Sequence, residues 1–173
     1  MTGPAGTIRL LVLDVDGVCT DGTVLLTASG DEVRSVHFHD LDAVARWCRR
    51  GLPVAILSGE DTPASRRVGE RFAVADATWG VKDKLAGLHA VCGRHGVTPA
   101  EACYVGDADR DAAALAAAGL GLAPADATGR ARAAADHVLA APGGRGAVAA
   151  AVEYLEATYP LPADPTAPDQ ETP

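Results

Sequence analysis

The sequence predicts an α/β fold on a parallel sheet, because short apolar runs alternate with helical stretches and each run ends on polar chemistry. Residues 8–13, Ile-Arg-Leu-Leu-Val-Leu, form a mostly apolar string ending at Asp14, the pattern of a strand buried on both faces. Residues 23–27 and 32–38 flank Ala28-Ser29-Gly30-Asp31 and read as a β-hairpin with a Gly-containing turn. That hairpin is expected to project as a flap over the end where the first strand delivers its acid. A helix follows over residues 40–50, then a strand over 53–57 that ends at Ser58-Gly59. Helices over 61–72 and 82–95 precede a third strand, 102–105, which ends at Gly106-Asp107 and leads into an Ala-rich helix over 109–118. In an open Rossmann-like sheet with helices on both faces, ligands bind beyond the carboxyl ends of the strands. Asp14, Ser58 and Asp107 fall there together.

The 173 residues suit one domain, expected over residues 7–158 and without a large cap. Residues 159–173 are rich in Pro and poor in large apolar groups, which predicts a disordered tail. A net charge of −8 and a pI near 5.0 exclude a nucleic-acid partner, since phosphate-backbone binding needs clustered Lys and Arg. No apolar run approaches the roughly 20 residues of a membrane helix, and residues 1–6 lack the basic and apolar regions of a signal peptide. A cytoplasmic location is expected. Cys19, Cys48, Cys92 and Cys103 form no Cys-x-x-Cys pair, so free buried thiols are expected and not a zinc site. The wealth of Ala, Gly, Arg, Val and Pro suggests a GC-rich genome.

Asp14-Val15-Asp16-Gly17 carries the most chemistry. Two carboxylates two residues apart, just past a buried strand, leave regular pleating and can converge on one cation, the compensation that buried charges require. Magnesium prefers a few carboxylates with water and phosphate oxygens, so Asp14, Asp16 and Asp107 would build a hard-cation site with a face open to a phosphoryl group. Alone, the stretch also suits an ordinary turn. Its company decides otherwise: Ser58 after a second strand, Lys84 opening a helix, and Gly106-Asp107-x-x-x-Asp111 follow in order.

This order resembles the four motifs of the haloacid-dehalogenase superfamily, from Leu10 to about Glu156. The resemblance implies that Asp14 is a nucleophile forming an aspartyl phosphate. Asp16 would protonate the leaving oxygen and then take a proton from the attacking water, its backbone carbonyl also ligating Mg2+. Ser58 and the N–H of Gly59, at the start of the next helix, would hold phosphate oxygens. Asp14, Asp16, Asp107 and Asp111 would form the metal site, and a lysine would charge-stabilise the transferring group. Lys82 and Lys84 compete for that role, and the spacing from Gly80 in relatives favours Lys84.

Asp14-Val-Asp-Gly-Val-Cys-Thr-Asp-Gly22, the hairpin, Gly80-x-x-x-Lys84 and Gly143-Gly144-Arg145-Gly146 resemble the 3-deoxy-D-manno-octulosonate 8-phosphate phosphatase family. Its relatives include a keto-deoxynononate 9-phosphate phosphatase and the C-terminal domain of some sialic-acid cytidylyltransferases. The resemblance implies a capless homotetramer in which hairpins and C-terminal segments of neighbours, here Arg145, close each site on a small phosphate ester. Three positions depart from the family: Ala108 replaces the middle acid of Gly-Asp-Asp-x-x-Asp, Glu60 stands where the octulosonate enzymes carry Arg, and His39-Asp40-Leu41 replaces Arg-Asp-Gly, altering the pocket floor. Glu60 is expected to repel an octulosonate carboxylate and to favour a nononate 9-phosphate.

Arg66, Arg67 and Arg71 follow on a helix, where they meet an anionic substrate or form a solvated face. His37 and His39 are expected on one face of a strand, as polar pocket residues or the hairpin's end. Trp47 and Trp79 are expected in the core or an interface. The first reading is thus a phosphatase of a phosphorylated sugar acid, and the second a non-catalytic oligomerisation module, against which Asp14 and Asp16 speak. A phospho-accepting signalling domain is disfavoured because its acceptor sits on a later strand.

Overall fold

The computed structural model describes residues 6–162. The chain runs through β1 (Leu10–Leu13), β2 (Leu25–Leu26), β3 (Glu32–Val33), α1 (Phe38–Arg49), β4 (Val54–Leu57), α2 (Pro63–Arg71) and β5 (Asp76–Thr78). It continues through α3 (Lys84–Arg94), β6 (Ala102–Val105), α4 (Ala112–Ala117), β7 (Leu120–Ala123), α5 (Gly129–Ala134), β8 (His137–Val138) and α6 (Ala147–Thr158). Six strands form one sheet in the order β5-β4-β1-β6-β7-β8, with every neighbouring pair parallel. β1 is therefore central: Leu11 pairs with Val54 on one side and with Cys103 on the other. The loops leaving β1, β4 and β6 emerge side by side at one edge, and the α/β class read from the sequence holds.

Strand side chains alternate between faces, and this alternation divides the core in two. Leu11, Leu13, Ile56, Cys103, Val105 and Leu122 pack against α1, α2 and α6 through Val44, Trp47, Val68, Val152 and Leu155. Leu10, Val12, Ala55, Leu57, Tyr104 and Ala123 face α3, α4 and α5 through Leu88, Val91, Leu115 and Ala131. Helices thus cover both sheet faces. Trp47 is in the core, as expected, and Trp79 packs against it while Arg66 lies over its ring at 5.8 Å. All four cysteines are free, three of them buried and Cys48 exposed.

Several boundaries move. The hairpin pairs only two residues on each side, Leu25 with Val33 and Leu26 with Glu32. Residues 34–37 are unpaired, and Phe38 already opens α1, so His37 and His39 do not share a strand face. They bracket a helix start, with rings edge-on at 4.8 Å. The helix expected from residue 61 begins at Pro63, where the Thr62 hydroxyl accepts the Ser65 N–H and Pro occupies the first turn, a favoured start. Gly59 is therefore not at the helix terminus. Among the described residues the second sheet is the β2–β3 pair, so no cap-sized unit covers the carboxyl edge there. Of the expected tail, residues 163–173 lie outside the described residues. Tyr159 is buried, Leu161 packs against the core, and Arg50 donates to the Pro162 carbonyl at 2.8 Å.

Asp40, expected in the pocket floor, is fully buried. Its two oxygens accept the N–H groups of Gly146 at 3.1 Å and Ala149 at 2.8 Å. It caps α6 from outside that helix, where Gly146 (φ +103) has no side chain to do so. Removing such an acceptor leaves buried donors unsatisfied at about 1–3 kcal/mol. Asp40→Ala is expected to lower the melting temperature by about 2–4 °C for each kcal/mol, read by circular dichroism. An unshifted melt would mean that the cap contributes nothing to the fold.

Candidate active site

β1 delivers Asp14 at the sheet edge, where the chain leaves extended geometry. Asp16 is still extended (φ −78, ψ 123), Gly17 adopts φ +80, and the loose turn closes when Thr20 N–H reaches the Val15 carbonyl at 3.0 Å. Gly17 is required twice over. Its φ disfavours side chains, and a Cβ there would stand 2.1 Å from Asp107 Oδ2. The Gly143-Gly144 segment packs behind this turn, where a Cβ at Gly143 would meet the Gly17 carbonyl at 2.0 Å. Arg145 follows, its side chain largely exposed and 3.6 Å from Asp21.

Asp14 is held at both oxygens: Oδ1 accepts the Val15 N–H at 2.7 Å and Oδ2 pairs with Lys84 Nζ at 2.7 Å. Lys84 opens α3 behind the Asp83 cap, is 1% exposed, donates to the Leu57 carbonyl at 2.7 Å and lies 3.4 Å from Asp111 Oδ1. Lys82 points elsewhere, to Glu60 Oε1 at 2.9 Å and to the Gly59 carbonyl. Of the two rival lysines, the structure brings Lys84 to Asp14. Breaking one partner from a buried pair of this kind costs roughly 3–5 kcal/mol.

Asp107 follows β6, and one ligand oxygen each from Asp14, Asp107 and Asp111 lies within 4.8 Å of the others. Asp111 is the positioned member. Tyr104 Oη donates to its Oδ1 at 2.6 Å, and its Oδ2 accepts the N–H groups of Asp107 at 3.2 Å and Ala108 at 2.9 Å. Asp107 Oδ1, by contrast, is buried with no hydrogen-bond partner. An orphaned carboxylate oxygen facing two further carboxylates fits a hard cation with oxygen ligands. The electrostatics agree. Burial, together with the Asp14 and Asp111 charges, pushes the Asp107 carboxyl up to about 7, and burial pushes Asp14 up to about 6 against the opposing pull of Lys84.

Asp16 does not join this cluster through its side chain. Arg34, on the flap just after β3, donates to Asp16 Oδ1 at 2.5 Å and to Glu32 Oε2 at 3.1 Å. Thr62 Oγ1 donates to the same Glu32 oxygen at 3.1 Å, tying the flap to the start of α2. Burial raises the Asp16 carboxyl while Arg34 opposes the rise. Ser58 is fully buried after β4, and its Oγ accepts the Glu60 N–H at 3.1 Å, leaving its own proton free to donate. A cavity of about 250 Å³ is lined by Asp14, Asp16, Gly59, Glu60, Asp107 and Arg110, among others. Arg71 is not among its walls. It lies over the Phe38 ring at 5.5 Å and lines a separate groove of about 660 Å³ with Arg34, Arg67 and Glu70.

Two cations here escaped the sequence reading. Arg34 was legible as the partner of Glu32, since residues i and i+2 share a face of an extended segment. Arg110, between Asp109 and Asp111, had no such signal. The rim acid Glu60 pairs with Lys82, which lowers its carboxyl and keeps it ionised.

The haloacid dehalogenase-like hydrolase family model matches residues 32–119. The 3-deoxy-D-manno-octulosonate 8-phosphate phosphatase of Haemophilus influenzae is 35% identical over 140 residues, 81% of this chain and 78% of that protein. A crystal structure of the Moraxella catarrhalis enzyme of the same name, in complex with magnesium ion, phosphate ion and KDO, is similar with a TM-score of 0.84 at 26% identity, covering 88% of this chain and 87% of that one. The cobalt-bound Haemophilus influenzae enzyme has a TM-score of 0.83 at 32% identity over 88% of this chain and 89% of that one. The chain belongs to the haloacid dehalogenase-like hydrolases, among the relatives of 3-deoxy-D-manno-octulosonate 8-phosphate phosphatase, and is a phosphoric monoester hydrolase.

Proposed function

We propose that this chain is a magnesium-dependent phosphatase of a phosphorylated sugar acid, of the octulosonate 8-phosphate or nonulosonate 9-phosphate type, working through an aspartyl phosphate on Asp14. The observation that carries this reading is the Asp14 carboxylate held by Lys84 beside the orphaned oxygen of Asp107. Asp107, Asp14 and the Asp16 carbonyl would hold magnesium, with Asp111 set by Tyr104 and two backbone donors either as a direct ligand or through water. The ion, when bound, supplies positive charge to the phosphoryl oxygens.

An Asp14 carboxylate oxygen attacks phosphorus, forming the aspartyl phosphate as the P–O ester bond breaks. Asp16 gives its proton to the leaving oxygen, and the resulting carboxylate takes a proton from the water that cleaves the aspartyl phosphate. Burial favours the protonated form that the first step needs, and Arg34 stabilises the carboxylate that the second step needs. Ser58 Oγ and the Gly59 N–H donate to phosphoryl oxygens, while Lys84 offsets their charge.

Glu60 stays ionised beside Lys82 and so speaks for a nononate 9-phosphate, whereas the relatives' names favour octulosonate 8-phosphate. We place the enzyme in the cytoplasm as a homotetramer. The flap and the start of α1 expose Leu25, Leu26, Val33 and Phe38, apolar surface that neighbours would cover, and Arg145 stands exposed enough to reach another copy's site. The test is phosphate release from octulosonate 8-phosphate and nononate 9-phosphate, with magnesium and with a chelator. Release from at least one, lost with chelator, is expected. Turnover that is indifferent to the chelator would overturn the metal requirement.

A further inference from the structure

Arg110 is a cation at the active-site mouth that the mechanism above does not use. It lies in the short turn between β6 and α4, exposed to solvent, and lines the cavity that contains Asp14, Asp16 and Asp107. Its guanidinium overhangs Gly59: a Cβ at that glycine would stand 3.0 Å from Arg110 Nη1, so the absent side chain leaves the guanidinium its place.

Three cations around the Asp14 site are engaged. Lys84 is buried against Asp14, Lys82 binds Glu60 and the Gly59 carbonyl, and Arg34 binds Asp16 and Glu32. Arg110 makes no hydrogen bond or ion pair with any described residue, although Asp109 and Asp111 flank it in sequence. Arg110 is exposed and lines the cavity that Asp14 also lines, whereas Asp14 and Ser58 themselves are buried. A substrate with two anionic groups needs a second cationic partner beyond the phosphoryl site. A guanidinium is suited to this because it pairs with a carboxylate through two parallel N–H donors.

We propose that Arg110 binds the carboxylate of the substrate, the anionic group that is not transferred, and so sets the preference for a phosphate monoester that carries a second acid group. This rests on the phosphatase reading and names the part of the substrate that the mouth recognises. Glu60 lines the same cavity, and both Lys82, which binds it, and the Arg110 charge lower its carboxyl, so a substrate carboxylate would compete with Glu60 for Arg110. The occupant is small, in keeping with a cavity of about 250 Å³.

The test compares kcat/KM for octulosonate 8-phosphate with that for phenyl phosphate, which has no carboxylate, in the parent, Arg110→Gln and Arg110→Lys. A lost charge-assisted contact predicts that Arg110→Gln lowers the ratio of the two values by about 10- to 100-fold, mainly through KM for the sugar acid. Arg110→Lys recovers part of the loss, since it keeps the charge but not the fork. Equal losses on both substrates would show that Arg110 serves the phosphoryl group or the fold, and no loss on either would make it a solvated rim residue. Either result overturns the assignment. A parent that releases no phosphate from phenyl phosphate or the sugar acid defeats the phosphatase reading itself, and the Arg110 assignment falls with it.

Discussion

Asp14→Asn is expected to reduce phosphate release by more than about 10⁴-fold, because a neutral amide has the shape of the carboxylate but cannot attack phosphorus. The fold should survive. The amide oxygen can still accept the Val15 N–H, and Lys84 keeps the Leu57 carbonyl and Asp111 as partners. A far-ultraviolet spectrum like the parent's, beside a null phosphate assay, is the expected pair of readings. Retained turnover would place the nucleophile elsewhere.

Asp107→Asn has two effects of opposite sign. Without metal, the carboxyls of Asp14 and Asp107, pushed up to about 6 and about 7, make the folded state hold protons that the unfolded state has released. The metal-free protein therefore loses stability as pH rises from about 4 to about 7. Asparagine at 107 removes the larger part of that loss, so the metal-free variant should melt above the metal-free parent at pH 8, and the gap should shrink at pH 4. Magnesium reverses the ranking. A ligand at 100 times its Kd stabilises by about 2.7 kcal/mol, roughly 5–11 °C here, and the variant should forfeit most of that gain together with at least ~100-fold in turnover. Melts at the two pH values, with magnesium and with chelator, check both signs. An equal magnesium shift in parent and variant would remove Asp107 from the metal site.

The parts of this site that follow from contiguous residues were legible in the chain. β1, β4 and β6 announced themselves because buried parallel strands are apolar on both faces, and their polar tips marked the edge where Asp14, Ser58 and Asp107 emerge. β5 and β7 were not identified because Asp76-Ala77-Thr78 and Leu120-Gly121-Leu122-Ala123 are short and contain residues with little strand preference. The start of α6 was invisible for a different reason. Its cap is Asp40, 106 residues from Gly146 in sequence, and no local pattern reports a cap supplied by another helix.

The same distinction explains the charged residues. Asp40 looked like a pocket acid because it matches the Asp of the family's Arg-Asp-Gly although both of its neighbours differ, but its oxygens are committed to backbone N–H groups of α6. Glu60 was singled out by its motif position, and its partner Lys82, 22 residues away, is visible only in the fold. Arg110 gave no signal in the sequence, and only the fold brings the loops after β4 and β6 together at Gly59. Motifs carried the chemistry at the sheet edge, whereas partner choice among long side chains required the fold.

The most direct test of the account is chemical capture of the aspartyl phosphate. Asp16→Ala should accumulate it from 4-nitrophenyl phosphate, whose leaving group departs without an acid, while the water that cleaves the intermediate lacks its base. Acid quenching, borohydride reduction and mass spectrometry of the digested protein should then reveal homoserine at position 14, dependent on magnesium. Unmodified Asp14 in a variant that releases a stoichiometric burst of nitrophenol, or the reduced residue at another position, would contradict the mechanism.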